Sequence, residues 1–283
     1  VNFLCPSCGT ESVGKFCRSC GEQKLGTEDR SLRHYFDVVI NYLTHFDSKG
    51  YRSLWLLVTR PGFLSVEQLR GSRVRYVKPL SLFLSVNVIY YLSIASFGGS
   101  TFTTPLETQL RLNDYYAGYA RAQVEEKAQQ ESIGYAALEA RFNGKAGVLS
   151  KTLIFLFIPI YALLFWALFF RSERKYLMEH VVVATHFWCF VLILLAVVVP
   201  AIAAPFYWWT HAPSFEAVFV AGEVPLTIAL QLAIGLYLAL MLRRVYSARL
   251  WYCVLVAAAI AWSFFHIVWL YRYFLFEITL RLI

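Results

Sequence analysis

Residues 181–203 read VVVATHFWCFVLILLAVVVPAIA, and none of these 23 residues is an Asp, Glu, Lys or Arg. The hydrocarbon core of a bilayer is about 30 Å thick and takes about 20 helical residues to cross. A run this long and this apolar satisfies its backbone in lipid only by bonding to itself as a helix. Working outward, four further stretches qualify on the same grounds: Pro79–Phe97, Ser150–Phe170, Val224–Leu242 and Leu250–Leu270. Pro159 and Pro200 interrupt two of the five, as kinks that neighbouring helices tolerate. Of 283 residues 58% are hydrophobic and 17% aromatic, and the mean hydropathy is +0.53, too apolar for a soluble domain of this length. The expected fold is an all-α membrane protein with about five transmembrane helices.

Basic residues predict its orientation, because cytosolic segments carry the excess of Lys and Arg. Twelve of them precede Pro79, Arg171, Arg174 and Lys175 follow the second span, and Arg243, Arg244 and Arg249 follow the fourth. Between the third and fourth spans, residues 204–223 hold no Lys or Arg but do hold Tyr207, Trp208 and Trp209, an aromatic belt for the outer interface. Residues 98–149 set five basic against six acidic residues and are expected outside. The amino terminus is thus expected in the cytosol and the carboxyl terminus outside it, with no cleavable signal peptide ahead. The net charge of +8 gathers beside the bilayer, with Arg70, Arg73, Arg75 and Lys78 at the mouth of the first span. Anionic lipid headgroups are the nearer partner for these residues, and no nucleic acid is expected. A plain topology signal accounts for them equally well.

The chain opens on a different chemistry. Cys5-x2-Cys8-x8-Cys17-x2-Cys20 folds two knuckles, each followed by a glycine, Gly9 or Gly21, that relieves the backbone. Four thiolates around one tetrahedral centre suit a structural zinc, one per chain, with no position open for a substrate. Two disulfides are the competing arrangement, disfavoured where thiols stay reduced. A ribbon this short buries little apolar surface, so the metal supplies most of its folding free energy.

Between ribbon and first span the pattern is helical. Leu32, Tyr35, Phe36, Val39, Ile40, Leu43 and Phe46 recur every three or four residues in an amphipathic stretch suited to the bilayer interface. A second helix, YRSLWLLVT, stops at Arg60-Pro61-Gly62, and a third is expected to begin at Ser65 with Gln68 closing a capping box and Gly71 ending it. The expected organisation is a zinc ribbon at 1–26, a cytosolic helical collar at 27–78, and a membrane domain at 79–283. Its outer loop, 98–149, carries one or two surface helices.

The order of ribbon and collar, then TRPGFLSVEQLRGSRVRYVKPLSLF at 59–83 and YLMEHVVVATHFWCF at 176–190, resembles a bacterial multi-pass membrane-protein family of unknown function with an N-terminal four-cysteine zinc ribbon. The resemblance implies a bacterial inner-membrane location and no activity. Where that family places glutamine directly after the second knuckle's glycine, this chain has Gly21-Glu22-Gln23, which leaves the ligand spacing intact.

Inside the spans the polar residues are few: Asn87, His186, Gln231 and His266, with no carboxylate. Polar groups in lipid are costly and mark function by default. At 1.5 Å per residue His186 and Asn87 lie roughly 8 and 12 Å from the inner surface, and His266 and Gln231 roughly 6 and 10 Å from the outer one. The two histidines therefore cannot share a metal. Glu179, His180 and His186 form the sharper candidate, at the mouth of the third span, where a titrating histidine beside a carboxylate could sense pH or take part in proton transfer. Cys189 and Cys253 read as small buried hydrophobes. Three functions fit this inventory. The first is a regulatory or assembly protein whose ribbon engages a cytosolic partner. The second is a small oligomeric transporter or channel lined by Asn87, His186, Gln231 and His266. The third, with least support, is a membrane enzyme acting through Glu179 and His180.

Overall fold

The computed structural model describes residues 2–4, 9–13, 18–19, 48–71, 75–97, 102, 105–112, 116–172, 176–210 and 215–283. The chain divides into two compact units, Val1–Tyr51 and Arg52–Ile283. In the first, strands β1 (Asn2–Leu4) and β2 (Glu11–Val13) pair antiparallel with Phe3 opposite Ser12. These strands flank the first cysteine knuckle in sequence. Cys5, Cys8, Cys17 and Cys20, and the amphipathic stretch from Leu32 to Phe46, lie outside the described residues.

The helices run α1 (Ser48–Thr59), α2 (Phe63–Leu69), α3 (Pro79–Phe97), α4 (Leu106–Leu112), α5 (Ala117–Glu131), α6 (Tyr135–Leu153), α7 (Phe157–Leu168), α8 (Leu177–Thr210), α9 (Phe215–Tyr246) and α10 (Leu250–Leu282). Among the described residues four helical stretches are long and apolar enough to cross a membrane: Tyr135–Leu168, Leu177–Val197, Ile228–Tyr246 and Leu250–Leu282. The first expected span is the helix α3, whose apolar stretch Pro79–Ser93 is shorter than these four.

Helix α8 is the centre of the second unit. Its apolar window is 78% buried, against 39–44% for the other three. Helices α3, α7 and α9 pack around it, and α10 packs on α9. Without a hydrophobic drive in lipid, such packing rests on close van der Waals fit. At the α9–α10 contact, a Cβ on Gly235 would lie 3.4 Å from Ala261 Cβ, so small residues set the spacing. Elsewhere aromatic stacking fills the seams, as in Phe190 on Tyr237 at 3.5 Å between centroids and 5° between planes.

The four long helices all outrun their expected spans, and two of them carry the surplus into a second core. The second begins at Tyr135, not Ser150, and runs to Leu168 through a single 3-10 turn at Ile154–Leu156. That turn sits three to five residues before Pro159, where the missing N–H and the ring bulk disturb the preceding turn. Helix α10 continues twelve residues past Leu270; 33 residues span about 50 Å against about 30 Å of hydrocarbon. The surplus of both helices carries α4 and α5 in a second core of Leu106, Tyr116, Val124, Phe142, Phe276 and Leu280. The segment expected outside is thus α4 and α5 packed on the extended ends of two expected spans.

The expected start of α2 is corrected. The helix begins at Phe63 after Gly62, with no side-chain cap, and Ser65 makes no capping box. Ser65 is fully buried and its hydroxyl is committed to α8 instead. The expected end holds, since Arg70 caps the helix and Gly71 follows at φ 94°.

Candidate functional site

Buried polar contacts concentrate where α1, the Arg60-Pro61-Gly62 turn and α2 meet the bundle. Proline disfavours helical geometry in the residue before it, so α1 must stop here with its last carbonyls unpaired. Several carbonyls at this stop find partners. Leu56 O accepts from Arg60 N–H at 3.0 Å, and Arg60 O accepts from Phe63 N–H at 3.0 Å. Two further partners come from α9: the Tyr237 hydroxyl donates to Leu57 O at 2.9 Å, and the Arg244 guanidinium donates to Pro61 O at 2.7 Å.

Gly62 makes this approach possible. It holds φ 76°, and a Cβ there would lie 2.9 Å from Met241 O and 3.1 Å from Met241 Cα. A side chain would meet the backbone of α9, which cannot swing aside. Below the turn the Ser65 hydroxyl lies 2.9 Å from His186 Nδ1. Above it, Ser53 accepts from Val77 N–H at 3.1 Å, Phe63 meets Tyr76 edge-on at 6.0 Å, and Arg52 lies over the Tyr76 ring. His186 is nine residues into α8 and Tyr237 nine residues before the end of α9, so both bonds lie about 13 Å inside those helix ends. The hairpin of α1 and α2 is therefore seated on the flanks of α8 and α9.

A serine beside a histidine is the starting geometry of an activated nucleophile. Here Ser65 is 0% and His186 2% exposed, which leaves no approach for a substrate. The contact pairs two polar groups that would each be costly alone in an apolar interior.

The other members of the expected cluster turn elsewhere. His180 Nδ1 lies 2.7 Å from the Tyr246 hydroxyl, with the two rings 18° from parallel. Tyr246 in turn stacks on Phe169 at 4.2 Å, so one side chain ties the ends of α7, α8 and α9 together. Glu179 accepts from Tyr176 N–H at 3.2 Å, the return bond of a capping box that starts α8. His180 and His186 thus take different partners, as six residues of helix, a turn of about 240°, require.

The remaining expected residues are scattered. Asn87 is buried in α3, Gln231 is half-buried on α9, and His266 is exposed beside Trp262 at 4.9 Å. Arg70 pairs with Glu67 at 3.2 Å on the surface, Arg75 and Lys78 are exposed, and Arg73 lies outside the described residues. Cys189 and Cys253 are buried free thiols. No group of three His, Cys, Asp or Glu able to hold a metal occurs among the described residues.

Sequence reading missed Ser65, Tyr237, Arg244 and Tyr246 as site residues. Tyr237 sits inside a run of leucines, where a hydroxyl is a buried polar group in need of a partner. That was a usable signal, but nothing in the sequence named the partner.

A family model described as "Protein of unknown function (DUF3667)" matches residues 47–91. The matched stretch covers α1, the turn, α2 and most of α3, which is the segment docked on the bundle. No curated protein and no solved structure matches the chain.

Proposed function

We propose that this chain is a regulatory or assembly protein of the bacterial inner membrane, in which the α1–α2 hairpin is the joint between a cytosolic zinc ribbon and the membrane helices. The observation that carries this reading is the set of bonds from Tyr237, Arg244 and His186 to the hairpin. Together with the close fit at Gly62, they make the segment before the first span part of the bundle's own packing. Any force on that segment reaches α8 and α9. The pairing of β1 with β2 on either side of the first knuckle suits a ribbon whose Cys5, Cys8, Cys17 and Cys20 hold one zinc.

In this reading the amino terminus is cytosolic, the helical cap built from α4, α5 and α6 is extracytoplasmic, and the ribbon engages a protein partner. Arg70, Arg73, Arg75 and Lys78 meet anionic headgroups. The scatter of Asn87, His186, Gln231 and His266 weighs against a channel lined by all four.

Hydrogen exchange on the full chain in lipid nanodiscs tests the joint. Removing zinc with a chelator, or by Cys17→Ser with Cys20→Ser, is expected to take about one zinc per chain and to speed exchange in the hairpin and the facing turns of α8 and α9. Zinc loss with faster exchange confined to the first 26 residues would refute the coupling. No zinc in the unaltered protein would refute the ribbon.

A further inference from the structure

Two cations flank the docked turn without a counter-charge. The Arg244 guanidinium donates one N–H to Pro61 O at 2.7 Å, and the Arg60 guanidinium lies 5.9 Å from the centroid of the Phe63 ring. A guanidinium carries five donors, so most of those on Arg244 are left for a further acceptor. Neither arginine pairs with a carboxylate among the described residues, unlike Arg70, Arg141 and Arg281. The only carboxylate between Ser48 and Arg70 is Glu67, which Arg70 holds at 3.2 Å, and α9 has none after Glu223.

The turn stands at the edge of the apolar stretch. A Cβ on Gly62 would meet Met241 and Arg244, and the part of α9 able to cross a membrane, Ile228–Tyr246, ends five residues, about 8 Å, past Met241. One and two turns before Arg244, on its side of the helix, Leu240 and Leu236 are exposed. On α1, the exposed Trp55 and Val58 flank Leu57, whose carbonyl accepts from the Tyr237 hydroxyl. Tryptophan suits the headgroup level of a bilayer. Guanidinium donors thus stand at the end of an exposed aliphatic track. A free anion would leave that track uncovered, and hydrocarbon alone would leave the cations unmatched.

We propose that the α1–α2 turn and the end of α9 hold one anionic phospholipid, with its phosphate on Arg244 and Arg60 and an acyl chain along Leu240 and Leu236. The phosphate follows from the planar fork of Arg244, which matches two phosphate oxygens at once. A net negative headgroup follows from two guanidinium charges with no carboxylate to offset them, since a zwitterionic lipid brings a competing cation. The acyl chain follows from the exposed leucines beside the clamp. This site is separate from the run Arg70 to Lys78. It rests on the membrane reading above and on neither the zinc nor a cytosolic partner. Because the lipid touches both the turn and α9, its binding strengthens the docked state of the hairpin.

The test is native mass spectrometry of the full chain, stripped of lipid in a neutral detergent and titrated with dioleoyl phosphatidylglycerol or dioleoyl phosphatidylcholine. Phosphatidylglycerol is expected to fill one site per chain, about tenfold or more tighter than phosphatidylcholine. Arg60→Gln and Arg244→Gln are each expected to weaken that site about tenfold. Arg249→Gln, which removes an equal exposed charge just past α9, is expected to leave it unchanged. Equal affinity for the two lipids would overturn the proposal, and so would equal losses in all three variants, the mark of a diffuse basic surface. Displacement of the lipid by glycerol 3-phosphate at equal concentration would assign the clamp to a soluble phosphate ester and overturn the lipid. Arg60 donates no side-chain hydrogen bond within the described residues, so unchanged binding in Arg60→Gln decides against the site even if Arg244→Gln fails to fold. A chain that stays monodisperse without detergent would refute the membrane reading itself, and no arm removes zinc, so the three failures are told apart.

Discussion

Gly62→Ala is the sharpest test of the docked hairpin. Gly62 holds φ 76°, and moving a residue with a Cβ into that region costs about 1 kcal/mol or somewhat more. The new Cβ would also lie 2.9 Å from Met241 O and 3.3 Å from Arg244 Cβ. Relieving that contact means lifting the turn off α9. The lift breaks the bonds from Tyr237 to Leu57 O and from Arg244 to Pro61 O, each worth about 1 kcal/mol net. The sum is about 3 kcal/mol, roughly a hundredfold rise in the undocked population. Hydrogen exchange of peptides covering residues 57–70 reads that population directly when opening is fast. Gly71→Ala is the control, because Gly71 holds φ 94° yet a Cβ there meets nothing within 4 Å. It should show the backbone cost alone, about tenfold at most. Equal exchange in the two variants would mean that the contact with α9 does no work, and the docking argument would fall.

Tyr246→Phe keeps the stack on Phe169 but removes the hydroxyl facing His180, so a loss of about 1 kcal/mol is expected, read as a small drop in the thermal midpoint in detergent. Phe276→Ala empties a fully buried position against Tyr116 and Phe142, at a cost of about 3–5 kcal/mol, enough to expose the Arg121 and Lys127 peptide bonds to trypsin while the spans stay intact. Arg281→Ala removes a mostly exposed guanidinium paired with Glu277 at 3.6 Å and is expected to leave cap stability within about 1 kcal/mol by the same proteolysis.

How much was legible depended on the range of the interactions. Apolar runs are local, and each of the five expected spans is a helix; the Arg60-Pro61 stop of α1 and the glycine end of α2 are local as well. Boundaries failed where a helix outran its apolar core. Tyr135–Ser150 and Arg272–Leu282 are too mixed in polarity to read as span, yet each continues as helix because a neighbour buries one face. The capping box at Ser65 failed for a related reason. A serine two residues into a helix and one buried against a histidine 121 positions away have the same sequence signature.

The sequence by itself determined that the chain is helical and membrane-compatible, because lipid leaves a long apolar run no other way to pair its backbone. Spacing along α8 likewise determined that His180 and His186 face different neighbours. Only the tertiary structure decided which neighbours those are, that the hairpin before the first span rests on α8 and α9, and that Phe276 and Leu280 close a second core with α4 and α5. Those outcomes depend on contacts between residues tens to hundreds of positions apart, and no local pattern encodes which distant surface a given face will meet.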